Sequence, residues 1–322
     1  MIRSSHLMHG SIIINAALCT GVWLFWPASA NAQSAAPDAD SAAKAETGLN
    51  SPTLERHLPR YELQVQLGAW VPRLSGKVSL DNTADRLDFD EDLDLFQSEA
   101  VFNGEIYLRK DEVWEIAFGG FDFATDITVD DFASDDQFGE VSIDRGDQIR
   151  STFDVTSFWG EIVPCAWRAY NDEQPDDPHH PAAENMTWDG RYIIDLRLMP
   201  RLGLRTLDVE QTMENLDTGE REEIEAAWLA FYGGLAAELQ YRPERSTPML
   251  DLLELELGVN AGPALGNDGG FMTEVRAGIN WHFHPNAGAT VGYRLVSMFV
   301  EDDDYDLDAT LAGLYFAASI RF

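Results

Sequence analysis

From Tyr61 to Phe322 the apolar residues of this chain recur at every second position, and that period constrains the fold more than any other feature. Successive side chains of a β-strand point to opposite faces, whereas a helix would return apolar residues every three to four positions. Tyr61, Leu63, Val65, Leu67, Ala69 and Val71 alternate with Glu62, Gln64, Gln66, Gly68 and Trp70. In the next segment Ala100, Phe102, Gly104, Ile106 and Leu108 alternate with Glu99, Asn103, Glu105, Tyr107 and Arg109, and a short turn leads to Trp114, Ile116 and Phe118. The fourth segment, about 149–167, is less regular and is expected to slip phase near Ser157. Six more segments follow, at 192–207, 227–242, 250–262, 272–283, 289–300 and 314–322. The chain is therefore expected to be all-β, with about ten strands and a range of eight to twelve.

The connections alternate in character. Five are acidic, at 73–97, 124–147, 208–225, 262–270 and 301–309, and are expected to be loops on one side of the sheet. The others, Lys110–Glu112, 168–190, 242–249 and His284–Ala287, are short apart from 168–190. Lys and Arg number 22 against 56 Asp and Glu, a net charge of −34, which excludes a nucleic-acid partner because such binding runs on cations that neutralise phosphates. Apolar residues at 45% argue against disorder despite that charge. No apolar run after residue 32 is long enough for a membrane helix, which needs about 20 residues.

Residues 1–32 read as a secretory signal, with Arg3 before the apolar stretch Ile12–Trp26, a break at Pro27, and Ala30-Asn31-Ala32 preceding cleavage at Gln33. A lipoprotein reading through Cys19 is weaker, because Leu18 stands where a small residue is needed. Residues 33–58, rich in Ala, Ser, Asp and Pro, read as a flexible tether, and 59–322 as the folded domain. With Cys19 removed, Cys165 has no partner for an intrachain disulfide.

Alternation fits two architectures. A soluble β-sandwich, or a lipocalin-like binding protein, would bury the apolar face between or within sheets; a membrane barrel would turn it to lipid. Arg197, Arg201, Glu238, Glu254, Glu256, Arg276 and Arg294 lie deep within strands on the polar face, as does Arg205, and favour a lumen. Tyr61, Trp114, Trp167, Tyr192, Tyr241, Trp281 and Phe322 gather beside the short connections, as an interfacial girdle would, with Phe123, Phe153 and Phe299 as candidates for the opposite girdle. The final Leu314-x-Phe316-x-Ala318-x-Ile320-x-Phe322, with these features, resembles the Gram-negative-type outer-membrane β-barrel proteins, nearest in size to the small OmpA- and OmpW-like barrels. That resemblance implies an up-and-down antiparallel barrel in the outer membrane, surrounded by lipid and expected as a monomer. It also implies that the barrel assembly machinery reads Phe322. An even strand count puts both termini on the periplasmic side.

Three chemistries remain to be weighed. Asp88-x-Asp90-x-Asp92 with Glu99 has part of an EF-hand spacing, but Leu93 stands where that loop needs Gly. Asp88, Asp90, Asp92 and Asp94 are expected on one face of an extended hairpin, where with Glu99 they could bridge Ca²⁺ or Mg²⁺; the alternative is a solvated acidic surface with no cofactor. The lumen charges either plug the barrel with ion pairs or line a narrow, cation-favouring, porin-like channel. Of seven histidines, His6, His9, His57, His179, His180, His282 and His284, none falls in the expected outer half, so the chain is not expected to be an enzyme.

Overall fold

The computed structural model describes residues 61–80, 86–95, 98–110, 114–133, 135–173, 192–243, 249–266, 268–302 and 304–322. The signal and tether, Asp81, Asp85, His179 and His180 lie outside the described residues. Ten long strands carry the fold: β1 (Tyr61–Leu80), β3 (Val101–Lys110), β4 (Trp114–Val129), β7 (Ile149–Val163), β9 (Tyr192–Asn215), β10 (Arg221–Pro243), β11 (Leu252–Leu265), β12 (Gly269–His284), β13 (Ala287–Asp302) and β14 (Tyr305–Arg321). Each pairs antiparallel with the next in this order, and β14 pairs back onto β1 from Gln64↔Arg321 to Leu80↔Tyr305, closing an up-and-down barrel. A sandwich of two stacked sheets is thereby ruled out. Among the described residues there are also four short strands: β2 (Leu87–Asp88), β5 (Asp136–Phe138), β6 (Val141–Ile143) and β8 (Trp167–Glu173).

β7 alternates without interruption from Ile149 to Val163, so the expected slip at Ser157 does not occur. The irregularity lies at 164–166, where Pro164 has no N–H to give a ladder. β8 then resumes the pairing on β9, from Trp167↔Leu198.

Three of the five expected acidic loops, 208–225, 262–270 and 301–309, are mostly strand. β9 runs 24 residues and β10 runs 23, about twice the 9–11 that span a bilayer. Their tips turn tightly at 216–220, where Asn215 Oδ1 accepts from the backbone of Asp217 and Thr218. The surplus length has its own core. Along β9 the outward residues are Ile194, Leu196, Leu198, Pro200, Leu202 and Leu204, then Thr206, Asp208, Glu210, Thr212 and Glu214. The inward ones are Asp195, Arg197, Met199, Arg201, Gly203 and Arg205, then Leu207, Val209, Gln211, Met213 and Asn215. The polarity of both faces reverses between residues 204 and 207 with no change of phase.

Inside the long-strand half, Trp70, Leu74, Phe123, Phe153, Leu207 and Leu311 belong to one apolar cluster. Trp70 meets Phe121 edge to face at 4.9 Å between ring centroids, and Phe89 meets Phe153 at 5.0 Å. Phe123 and Phe153, expected in an outer girdle, are thus fully buried core residues; they share the inward parity of Glu115 and Glu161 on their own strands. Two connections cover the end of this core. The turn after β2 inserts Phe89, Leu93 and Leu95, held by Phe89 N donating to Gly76 O at 2.9 Å. The β5–β6 hairpin inserts Phe138, Val141 and Ile143, turning at Gly139, whose φ of 56° is a left-handed value that few other residues adopt.

Candidate functional site

The other half of the lumen is a layered ion-pair network, built because most inward side chains from the short-turn end to mid-barrel are charged or polar, with a few apolar ones such as Met199 and Val163 among them. Nearest the short turns, Glu254 lies 3.2 Å from both Arg321 and His282 Nε2, and 3.9 Å from Arg109. Arg109 also bonds Glu115 and approaches Glu238 at 3.8 Å. Gln240 Nε2 donates to Glu238 and Glu254, and Arg197 pairs with Asp195 at 2.7 Å. One layer further, Arg201 meets Glu256 at 2.6 Å and Glu161 at 3.6 Å, and Arg276 meets Glu105 at 2.6 Å. Glu274 then holds two cations, Arg205 at 2.6 Å and Arg294 at 2.7 Å.

The boundary with the apolar core is aromatic. The Arg294 guanidinium stacks 5.3 Å from the ring centroids of both Trp70 and Phe121. Tyr232 lies flat against Gly203, where a Cβ would meet its ring at 2.3 Å, and its hydroxyl donates to Glu161 at 3.3 Å. Charges in so dry a place are tolerated only when paired and hydrogen-bonded. The space left among them is small: about 30 Å³ beside Arg109, Glu115, Arg197, Glu238 and Glu254, and about 10 Å³ between Trp159, Glu161, Arg201, Asn260, Glu274 and Arg276. At ~10–15 Å³ per water, the first is large enough for two or three water molecules and the second for one at most.

The eight expected lumen charges, Arg197, Arg201, Arg205, Glu238, Glu254, Glu256, Arg276 and Arg294, all lie in this network. Glu105, Arg109, Glu115, Glu161, Asp195, Glu274, His282 and Arg321 belong with them; the same strand parity marks them out in sequence. His282, expected at a connection, is a buried strand residue of the lumen.

The acidic residues of 88–99 behave differently from the extended hairpin expected of them. The chain turns at 89–92, and the Asp88 carboxylate accepts from the backbone N–H of Asp90 at 2.8 Å and Glu91 at 3.1 Å. Asp92 accepts from Asp88 N at 2.8 Å, Asp90 pairs with Arg73 at 2.8 Å, and Asp94 takes a left-handed φ of 53°. These side chains bond the turn itself, Glu99 lies exposed apart from them, and among the described residues no three His, Cys, Asp or Glu groups converge as a metal site.

Outside, the belt around the ion-pair half is apolar, with exposed Leu67, Phe102, Phe118, Leu204, Phe231 and Phe316 among its residues. Trp114, Tyr241 and Trp281 face outward near the short turns, with exposed Tyr61, Trp167 and Phe322; the side chain of Tyr192 lies outside the described residues. Phe322 continues the seam, its N–H donating to Leu63 O at 2.9 Å.

Fold and lumen together define a closed ten-stranded antiparallel up-and-down barrel. Solved structures similar to it include Ail, the attachment invasion locus protein of Yersinia pestis, at 11% identity and TM-score 0.30, covering 81% of this chain and 99% of that one. The outer membrane protease OmpT of Escherichia coli follows at 9% identity and TM-score 0.32, covering 81% and 96%. The toluene transporter TodX of Pseudomonas putida stands at 9% and 0.25, covering 80% and 89%. At such scores the likeness says nothing of what the chain does. No protein-family model matches the sequence, and no curated protein does.

Proposed function

We propose that this protein is a sealed, non-conducting barrel of the bacterial outer membrane that holds a rigid acidic β-platform in the water outside the cell. The observation that carries the reading is the reversal of polarity on β9 between Leu204 and Leu207. An outward face of Leu and Phe is stable in acyl chains, and only a closed sheet satisfies the backbone there. From Ile194 to Leu204 that face rises ~25 Å at ordinary strand rise and tilt, the height of the apolar band of membrane barrels. Beyond it Asp208, Glu210 and Glu214 belong in water, with the apolar residues inside as in a soluble barrel. Tyr61, the first described residue, and Phe322 lie at the opposite end, which in this reading faces the periplasm. In the same reading Phe322 is the residue offered to the assembly machinery.

Two successive seals support the non-conducting role: the ion-pair layers, with gaps of about 30 and 10 Å³, and the apolar core beyond them. The test is planar-bilayer recording of the purified protein in molar KCl. A silent membrane is expected from protein whose gel mobility shifts on boiling, as that of folded barrels does. Stable single-channel steps from such protein would replace this reading with the cation-favouring channel.

A further inference from the structure

We propose that a groove in the lipid-facing wall of β4, β7, β9 and β10 is a docking site for one lipid carrying an ammonium headgroup. This rests on the membrane-spanning reading above and names a ligand for that wall. The groove has a volume of about 810 Å³, with Phe118, Phe158, Leu202, Leu204, Leu229 and Phe231 among its walls. Its floor is low because Gly160 and Gly233 face outward among these large residues. Phe118 and Phe158 lie across Gly160 and Gly120, but a Cβ at Gly233 would touch nothing closer than 3.8 Å. The depression at Gly233 is therefore open, shaped for a chain of methylenes.

What selects the headgroup is the wall immediately beyond. The strand register sets Gly120, Phe158, Thr206 and Leu229 in one row and Asp122, Thr156, Asp208 and Ala227 in the next. The row after that is Ala124, Asp154, Glu210 and Glu225, three carboxylates on three neighbouring strands. Adjacent strands lie about 4.8 Å apart, so these carboxylates crowd one another. They line a second open depression of about 480 Å³, with Thr156 and Asp208, one row beyond the groove on β7, β9 and β10. The nearby cations are already engaged, Arg150 with Asp126 at 2.5 Å and Arg221 with Glu223 at 2.8 Å. Among the described residues Asp154, Glu210 and Glu225 have no ion-pair partner. Burial and the charges of Glu210, Asp122 and Asp126 push the Asp154 carboxyl above its ordinary range, the mark of a site short of positive charge. Beyond the groove's last row, at Thr206 and Leu229, a lipid's headgroup meets Asp122 and Asp208 two residues or ~7 Å along the strands, and Asp154, Glu210 and Glu225 four residues or ~13 Å along. A bare phosphate there would be repelled; a primary ammonium would meet two or three carboxylates.

Native mass spectrometry of the detergent-purified protein, titrated with dioleoylphosphatidylethanolamine or dioleoylphosphatidylglycerol, tests this. The ethanolamine lipid is expected to bind about tenfold more tightly, the scale of a few partly screened charge contacts. The double variant Glu210→Gln with Glu225→Gln should cut that preference to about twofold or less. Gly233→Leu should weaken both lipids about fivefold and leave their ratio unchanged, while Ala289→Leu on the opposite wall changes nothing. Equal binding of the two lipids, or a preference untouched by the glutamate variants, overturns the proposal. Phosphatidylglycerol matching the ethanolamine lipid once Mg²⁺ is added overturns the ammonium in favour of a metal-bridged phosphate. Displacement by free ethanolamine at equal concentration overturns the lipid as occupant. Failure of the wild-type protein to shift on boiling and to float with vesicles defeats the membrane reading instead, a result separable from all of these.

Discussion

The two halves of this barrel use one sheet and opposite chemistry. On β9, residues 194–204 carry Leu and Pro outward with Arg inward, and residues 206–214 carry Asp, Glu and Thr outward with Leu, Val and Met inward. The backbone ladder does not register the difference: β9 pairs β10 without a break from Arg221↔Glu214 to Pro243↔Tyr192. Hydrogen bonding therefore fixes the shape, and solvent decides which face holds which side chains. The lower half keeps its interior by charge pairing and the upper half by apolar burial, two ways of filling the same cylinder.

The comparison can be broken most severely at Glu274. Glu274→Ala leaves Arg205 and Arg294 without their shared carboxylate in a dry lumen, and should cost about 3–5 kcal/mol in urea unfolding from lipid vesicles. Phe153→Ala in the upper core should cost about as much, 3–5 kcal/mol, through lost burial and a cavity against Phe89. If either variant were neutral, that half would not be filled as described. A smaller effect separates the two outer faces: Leu202→Arg should cost about 2–4 kcal/mol, whereas Asp208→Arg should change stability by no more than about 0.5 kcal/mol. Equal costs would mean that one solvent bathes both faces.

The smallest effect is on pH. Asp154 has its pKa raised, by burial first and then by its acidic neighbours, so its ionisation destabilises the fold. That penalty is absent below the ordinary aspartate value near 4 and grows as pH rises through it. Asp126, held low by its bond to Arg150, contributes the opposite: stability present above the ordinary value and lost as pH falls. Both groups are largely exposed, so each amounts to a few tenths of a kcal/mol after solvent screening. Asp154→Asn should remove the first slope, and Asp126→Asn the second, in unfolding curves taken between pH 3 and 7.

The sequence shows the barrel because period two survives in every long strand, and shows the lumen charges because they share a parity. It also holds the reversal, since Leu207, Val209 and Met213 stand in the same phase as Arg201 and Arg205. Reading acidic stretches as loops conceals it: Asp208, Glu210 and Glu214 look like loop composition until their apolar neighbours are assigned a face. Phe123 and Phe153 are misplaced for the same reason, aromatic type being given more weight than parity. The pairings Arg205–Glu274 and Arg276–Glu105 were not legible, because the partners are 69 and 171 residues apart and meet only across a closed ring. The lateral groove was equally hidden, since it depends on which glycines come side by side in register.

Closure has a consequence for how such a chain is made. Every pairing in the ring but one joins consecutive long strands, so hairpins can be added one after another. The exception, β1 with β14, brings together residues as far apart as Gln64 and Arg321. Until it forms, a growing ribbon keeps a row of bare N–H and C=O groups along each margin, and in hydrocarbon nothing else can satisfy them. In the membrane-spanning reading proposed above, assembly ends in a single zipping event, and a chain caught before it has no stable resting place in the bilayer.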